Sequence, residues 1–278
     1  MSISVLMAVY QSEKAAFLDA AIQSVWTAQT LRPNEVVLIE DGPLNVELYE
    51  VISRWECLIG KQLVILKNTK NLGLTKSLNR GIEVAMGDLI ARMDSDDISE
   101  PTRFETQVSF FESHPEVDIV GGALREFNDS NPSLRVRHYP ETDAEVRKYI
   151  CKASPLAHPT VMMRRRIFDG GLRYNENYRT SQDIALWFDA LMAGYKIANV
   201  PEVTINFRSQ GGVFKRRSRA KAWNEFKIYM SGIYRMDGLL TAKYRYPIAR
   251  LCLRLMPPSA VKRAYESNIR SKLLENKQ

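Results

Sequence analysis

The sequence predicts an α/β protein built on a mostly parallel, doubly wound sheet. Three observations predict it. Apolar, β-branched runs alternate with stretches of helical period in the order β-α-β-α-β-α-β over the first hundred or so residues. Strands separated by helices of roughly 10–15 residues imply right-handed crossovers into a parallel sheet. At 278 residues, 45% hydrophobic and 26% charged, the chain can bury a full core in one large domain, or in one domain plus an appendage.

Ile3–Tyr10 reads as the first buried strand. Ala15–Thr30 follows as a helix, with Leu18, Ile22, Val25 and Trp26 at helical spacing. Pro33-Asn34 breaks the chain, Glu35–Ile39 is the second strand, and Glu40-Asp41-Gly42-Pro43 is an acidic turn. Val46–Ile59 reads as a helix and Leu63–Leu66 as the third strand. Asn71-Leu72-Gly73-Leu74 turns into a helix running to about Met86, Gly87 closes it, and Asp88-Leu89-Ile90-Ala91 is the fourth strand. Glu100-Pro101 then starts a helix to about Ser113, with proline at a favoured first-turn position. Asp118–Phe127 reads as a strand interrupted at Gly121-Gly122, Arg135–Tyr139 as a short polar strand, and Asp143–Cys151 as a helix. His158-Pro159-Thr160 precedes a strand-like Val161-Met162-Met163. Asp183–Gly194 is a helix packing Ile184, Trp187, Phe188 and Leu191, and Lys196–Phe207 supplies two short strands around Pro201. Helices are expected over Ala220–Met236, over Pro247–Met256 up to Pro257-Pro258, and over Ala260–Leu274.

No stretch reaches the ~18 uninterrupted apolar residues of a transmembrane helix. The start, Met1-Ser2-Ile3-Ser4-Val5, reads as a strand and not as a signal peptide. Cys57, Cys151 and Cys252 are odd in number and far apart, which suits free thiols in a reducing cytoplasm. The net charge of +7 is uneven: residues 1–199 hold 22 Lys+Arg against 27 Asp+Glu, whereas residues 200–278 hold 17 against 5. A mildly acidic body with a basic tail suggests an anionic partner at the tail, a membrane surface or a nucleic acid.

The chemistry concentrates in Arg92-Met93-Asp94-Ser95-Asp96-Asp97, three carboxylates within four residues at the end of the fourth strand. Asp and Ser stop strands, and ligands of open α/β sheets sit outside the carboxyl ends of the strands. Crowded carboxylates raise one another's pKa unless a cation is shared. Hard oxygen ligands suit Mg²⁺ or Mn²⁺ bound to a diphosphate. A polar turn capping the next helix is the plainer explanation of the same residues. Tyr10, Asp41 and Asp94/Asp96 should converge on one sheet edge, where Asp41 can accept from a base or ribose hydroxyl. Ser181-Gln182-Asp183 opens a helix, and Asp183 is also a favoured N-cap.

Five segments together resemble family 2 inverting glycosyltransferases of the GT-A fold. They are Ser4–Tyr10, Val37–Gly42, Asn71-Leu72-Gly73 with Asn79-Arg80-Gly81, Ala91–Asp97, and Gln182–Trp187. The likeness covers roughly residues 3–210. It leans toward short bacterial O-antigen and exopolysaccharide enzymes that add galactose or glucose to a lipid-diphosphate-linked amino sugar. The resemblance implies a UDP-sugar donor and a Mn²⁺ or Mg²⁺ cofactor. Asp96 would ligate the metal with Asp94, which with Ser95 would also meet the donor. Ala8, Val9, Tyr10, Asp41 and Asn71 would bind the donor nucleotide, and Lys76 its diphosphate. Asp183 would be the general base, with His158, Gln182 and Trp187 on the acceptor side. A satisfied structural histidine explains His158 equally well. One base and one metal suffice for a single inverting displacement. Two departures stand out: Gln182 replaces the family's glutamate, and Asn206-Phe207-Arg208-Ser209-Gln210 lacks the family's histidine. Arg164-Arg165-Arg166 could meet an acceptor diphosphate or be a solvated charge run.

The expected division is a catalytic domain over residues 1–212, with a donor half to 100 and an acceptor half from 101, and a basic amphipathic extension over 213–278. Such helices suit an anionic bilayer, which would place the protein on the inner face of the bacterial cytoplasmic membrane, beside a polyprenyl-diphosphate-linked saccharide acceptor. Helices that merely pack on the catalytic domain are the alternative. Two other functions compete. A nucleic-acid-binding protein would use the tail but lacks the clustered aromatics of single-strand binders. A metal-dependent nucleotidyltransferase would need a better phosphate loop than Tyr10–Ala15.

Overall fold

Apolar strands alternating with helices do fold as crossovers here. The computed structural model of the chain describes residues 1–128, 131–209 and 219–256. β1 (Ile3–Val9), α1 (Ala15–Trp26), β2 (Glu35–Glu40), α2 (Val46–Ile59), β3 (Leu63–Lys67), α3 (Leu74–Val84) and β4 (Leu89–Asp94) follow in order. β2 pairs with β1 and β3, and β1 with β4, all parallel. The second half is mixed. It contains β5 (Ile98–Ser99), α4 (Arg103–Ser113), β6 (Ile119–Asn128), β7 (Asn131–Arg137), α5 (Asp143–Tyr149), β8 (Met162–Arg164), α6 (Arg166–Asp169), α7 (Gln182–Met192) and β9 (Ile197–Arg208). α8 (Arg219–Asp237) and α9 (Arg245–Leu255) follow. The sheet runs β3-β2-β1-β4-β8-β6-β9-β5, with β7 paired to β6.

Helices cover both faces, so the strands are buried on both. Ile3, Val5, Met7, Val9, Val36 and Leu38 face the layer of α1, α2 and α4, with Leu18, Ile52 and Phe104. Leu6, Val37 and Ile39 face the layer of α3, α7 and α8, with Ile82, Trp187 and Ile233. The split by alternate residues is the period-2 pleat of a strand.

Several boundaries differ from the sequence expectation: α4 starts at Arg103 with Thr102 as N-cap, so Pro101 lies before the helix and not in its first turn, and β7 is Asn131–Arg137 in place of Arg135–Tyr139. Lys196–Phe207 is one strand: its pairing with β6 jumps from Gly122↔Val200 to Ala123↔Val203, so Pro201 and Glu202 bulge out exposed. Proline has no N–H to give a ladder, and a bulge asks for none. Likewise Gly121-Gly122 lies within a continuous β6. A Cβ on Gly122 would come 2.5 Å from Thr204 Cγ2, so glycine is there to let β9 approach. The expected helix Ala260–Leu274, the Pro257-Pro258 stop, Gln210 and the expected boundary at 212/213 lie outside the described residues.

Candidate active site

Strand register fixes the edge where chemistry can collect. Ala8 lies opposite Asp94, Val9 opposite Glu40, and Glu40 opposite Lys67. The residues that follow, Tyr10, Asp41, Asn68 and Ser95, therefore emerge along one carboxyl edge of the parallel strands.

On the β2 side the structure builds a rigid cradle around Asp41. Its Oδ1 accepts from Leu72 N at 2.7 Å and Asn68 Nδ2 at 2.9 Å, and its Oδ2 accepts from Gly73 N at 3.0 Å. Asn71 Nδ2 donates to the Asp41 carbonyl at 3.2 Å. Gly42 has φ +93°, and a Cβ there would sit 2.7 Å from Asn71 N, so the turn admits only glycine without strain. Asp41 thus spends most of its acceptor capacity on holding the Asn71-Leu72-Gly73 turn. Ala8 is half-buried and Val9 buried, while Tyr10 is 48% exposed beside them. Asn71 and Lys76 are exposed, and Lys76 Nζ lies 3.9 Å from the Glu176 carboxylate.

On the β4 side, carboxylate oxygens of Asp94, Asp96 and Asp97 lie within 4.8 Å of one another. Burial, then the charges of Asp94 and Glu13, push the Asp96 carboxyl up to about 6. Burial and its two acidic neighbours raise Asp97 as well. Asp97 Oδ1 accepts from Arg208 N at 2.8 Å, while Asp97 Oδ2 is buried without a hydrogen-bond partner among the described residues. Crowded, partly desolvated carboxylates with an unsatisfied oxygen fit a hard divalent cation. Ser95 Oγ donates to Glu13 Oε2 at 3.1 Å, which brings a fourth carboxylate to the turn.

Arg92 joins the halves of the site. It is 2% exposed and ion-paired with Asp94; burial disfavours the guanidinium, but the charge and hydrogen bond of Asp94, with Tyr174 and Asp97, together raise its pKa. Its charge is also felt by Asp183, Tyr174 and His158. Arg103, fully buried beneath, donates to the Arg92 carbonyl at 2.8 Å, and burial pushes it down to about 9.

Asp183 lies in the first turn of α7 but is not its N-cap, which is Ser181. Burial raises its carboxyl above the usual range, against the Ile184 N–H and the Arg92 charge, which lower it. A carboxylate poised upward is a better proton acceptor. Gln182 beside it is buried. His158 Nε2 lies 2.7 Å from Tyr174 Oη, with the Trp187 ring edge-on at 6.2 Å. His158 is buried and held neutral, first by desolvation and then by Arg92. Trp187 has no exposed surface. His158 and Trp187 are thus packed against each other and closed to solvent in this structure.

Several contributors were not singled out from sequence. Asp97 was visible in the motif but given no role. Asn79 exchanges two bonds with the Tyr174 backbone, at 2.8 and 3.0 Å, and so ties α3 to the loop before α7. Two residues before the position of the resembled family's histidine, Arg208 Nε donates to the Asp96 carbonyl at 2.9 Å, and its guanidinium stacks 3.9 Å from the Phe17 ring. Glu13 and Arg208 carried no signal, because tertiary contact alone brings them to the acidic turn. Arg164, Arg165 and Arg166 bind Val117 O, Gly87 O and Asp118 at the opposite edge of the sheet.

Sheet, edge and acidic turn define the GT-A class of nucleotide-sugar transferase. The chain belongs to glycosyl transferase family 2, whose model matches residues 4–172. It is 34% identical to the amylovoran biosynthesis glycosyltransferase AmsE of Erwinia amylovora, across 95% of this chain and 98% of that protein. It is 32% identical, over 96% of each chain, to an Escherichia coli UDP-Gal:α-D-GlcNAc-diphosphoundecaprenol β-1,3-galactosyltransferase. The fold matches the mannosyltransferase PcManGT of Pyrobaculum calidifontis, solved with GDP-Man and Mn²⁺, with TM-score 0.61 and 15% identity over 99% of this chain and 76% of that one.

Proposed function

We propose that the protein transfers a hexose, galactose or glucose, from a UDP-sugar to a lipid-diphosphate-linked saccharide during assembly of a bacterial surface polysaccharide, with inversion at the anomeric carbon. One observation carries this reading: Arg92 couples an acidic turn at the sheet edge to Asp183, a carboxylate with a raised pKa on a neighbouring helix. The related E. coli enzyme, named for UDP-Gal and a diphosphoundecaprenol-linked GlcNAc, supports the choice of donor and acceptor.

Asp183 is the general base. It takes the proton from the acceptor hydroxyl as that oxygen bonds to the anomeric carbon and the bond to the UDP oxygen breaks. No second carboxylate nucleophile is required, so the configuration inverts. Ala8, Val9 and Tyr10 line the nucleoside, and the turn anchored by Asp41 presents Asn71 to it. Lys76 reaches the diphosphate, and Asp94 and Ser95 complete the donor site. Asp96 and Asp94, with Asp97 beside them, would hold Mn²⁺ or Mg²⁺, which when bound would neutralise charge on the leaving diphosphate. Gln182 faces the acceptor as a neutral hydrogen-bonding group, with His158 and Trp187 also on the acceptor side. Residues 1–100 serve the donor and 101–212 the acceptor.

The basic extension from residue 213 attaches peripherally to the inner face of the cytoplasmic membrane. Leu239 and Leu240 are 74% and 101% exposed between α8 and α9, next to Lys243 and Arg245. No helix among the described residues is long and apolar enough to cross a membrane. Unchanged flotation with anionic liposomes after removal of residues 240–278 would contradict this attachment.

The activity test is UDP release with Mn²⁺ from UDP-galactose and UDP-glucose, using a lipid-diphosphate N-acetylhexosamine acceptor. Release must require the acceptor and be lost in Asp183→Asn and Asp96→Ala. Release of UMP or pyrophosphate would overturn the reading.

A further inference from the structure

We infer that α8 belongs to the catalytic apparatus, and that Asn224 on it is a positioning residue clamping the turn that aims Asp183; this rests on reading Asp183 as the base. The aim of Asp183 is set by the residues just before α7. Ser181, at the N-cap, has φ 59° and ψ 24°, and is the only non-glycine residue with positive φ among those described. That conformation is disfavoured for an L-residue, whose Cβ comes too close to the following carbonyl oxygen. Ser181 makes no side-chain capping bond to offset the cost. The turn must therefore be held from outside.

It is held from two sides. α3 grips the incoming loop: Thr75 Oγ1 donates to Tyr178 O at 2.7 Å, and Asn79 Nδ2 donates to Tyr174 O at 2.8 Å. From the other side, Asn224 Nδ2 donates to Thr180 O at 2.9 Å and lies 3.2 Å from Thr180 Oγ1. Thr180 is the residue immediately before the left-handed one. Asn224 can act as a clamp because α8 is itself pinned. Gly232 lets α8 lie against Phe188, where a Cβ would approach the ring to 2.5 Å, and Arg235 pairs with Asp189 at 2.6 Å. Glu225, next to Asn224 and buried, accepts from Arg250 and Arg254 of α9 at 3.0 and 2.6 Å. So α9 braces α8, and α8 braces the turn that launches the base. Apart from Thr75 and Asn79, the residues of this arrangement lie beyond those that the family model matches.

The test compares full-length Asn224→Asp with Asn224→Gln. Aspartate is isosteric but turns an acceptor toward the Thr180 carbonyl, whereas glutamine keeps an amide donor. Hydrogen exchange gives a readout that needs no substrate. Amides at residues 180–184 should exchange at least tenfold faster in Asn224→Asp, with the β1–β4 amides unchanged, and Asn224→Gln should recover part of the protection. In transfer assays, Asn224→Asp should lower kcat about tenfold to a hundredfold with donor KM and donor-binding stoichiometry unchanged, since small misplacement of a reacting group costs that much. Unchanged exchange at 180–184, or a kcat loss matching a loss of donor-binding protein, overturns the inference. Asp183→Asn separates the two failures. If it transfers as well as the wild type, the base assignment falls and the clamp with it. If it is inactive while Asn224→Asp keeps full kcat, only the clamp falls.

Discussion

Replacing Asp41 by alanine tests whether this residue acts mainly by building the donor cradle. The carboxylate accepts three hydrogen bonds: Leu72 N at 2.7 Å, Asn68 Nδ2 at 2.9 Å and Gly73 N at 3.0 Å. A bond to a charged group contributes about 1.5–3 kcal/mol, and a buried donor left without a partner costs about 1–3 kcal/mol. The three share one carboxylate and are not additive. Leu72 and Gly73 are half-buried, so water replaces part of what is lost, while Asn68 is buried. The expected loss for Asp41→Ala is therefore about 2–4 kcal/mol, a large share of a typical domain's stability. Urea unfolding should show it as a lower midpoint with an unchanged slope. Asp41→Asn keeps the volume and one carbonyl acceptor and should lose roughly half as much. Donor KM should rise in both variants, because the Asn71-Leu72-Gly73 turn loses its anchor. An unfolding free energy for Asp41→Ala within about 0.5 kcal/mol of the wild type would refute the reasoning. Wild-type stability of Asp41→Asn with donor binding abolished would instead make Asp41 a direct nucleotide ligand and little else.

Three further outcomes follow from the same geometry. Burial raises Asp183, and a base works only when deprotonated, so kcat should fall toward acid with a midpoint above the ordinary carboxylate value of about 4; a midpoint at or below 4 would contradict this. Asp96 sits at about 6, so at pH 5 some nine in ten copies carry a proton that Mn²⁺ must displace. The affinity for Mn²⁺, followed by the paramagnetic signal of the free ion, should then be about tenfold lower at pH 5 than at pH 7.5, and equal affinities would count against Asp96 as a ligand. Gly81→Ala places a Cβ 2.2 Å from Leu6 Cδ1 and 2.8 Å from Ile39 Cδ1, where α3 lies against the sheet. Overpacking of that kind costs about 1–3 kcal/mol, so this variant should unfold at lower urea, whereas a gain from alanine's helix propensity would show that the contact relaxes freely.

The strand-helix alternation of residues 3–94 was legible in sequence because local signals agree there. Apolar runs, helical spacing and breakers at Pro33-Asn34 and Gly87 all point to the same elements. The acidic turn was legible for the same reason, since a strand that ends in Asp94-Ser95-Asp96-Asp97 must place its carboxylates at the sheet edge. The second half was less legible. Pro201 looks like a strand break locally, and only pairing with β6 shows that it occupies a bulge. Nothing local marks Glu13 as a neighbour of Ser95, or Asn224 as the clamp on Thr180. Their partners lie 82 and 44 residues away, and a single polar side chain on a loop or helix carries no period to read. The sequence by itself therefore determined the sheet, its order of secondary elements through β4, and the carboxylates that crowd its edge. Only the tertiary structure decided what surrounds those carboxylates: Arg92 paired with Asp94 and felt by Asp183, the burial that raises Asp96 and Asp183, and the α8 side chain that bonds Thr180 just before α7. The physical reason is that periodicity is a property of neighbours along the chain, whereas desolvation, charge coupling and backbone strain depend on which distant groups close over a site.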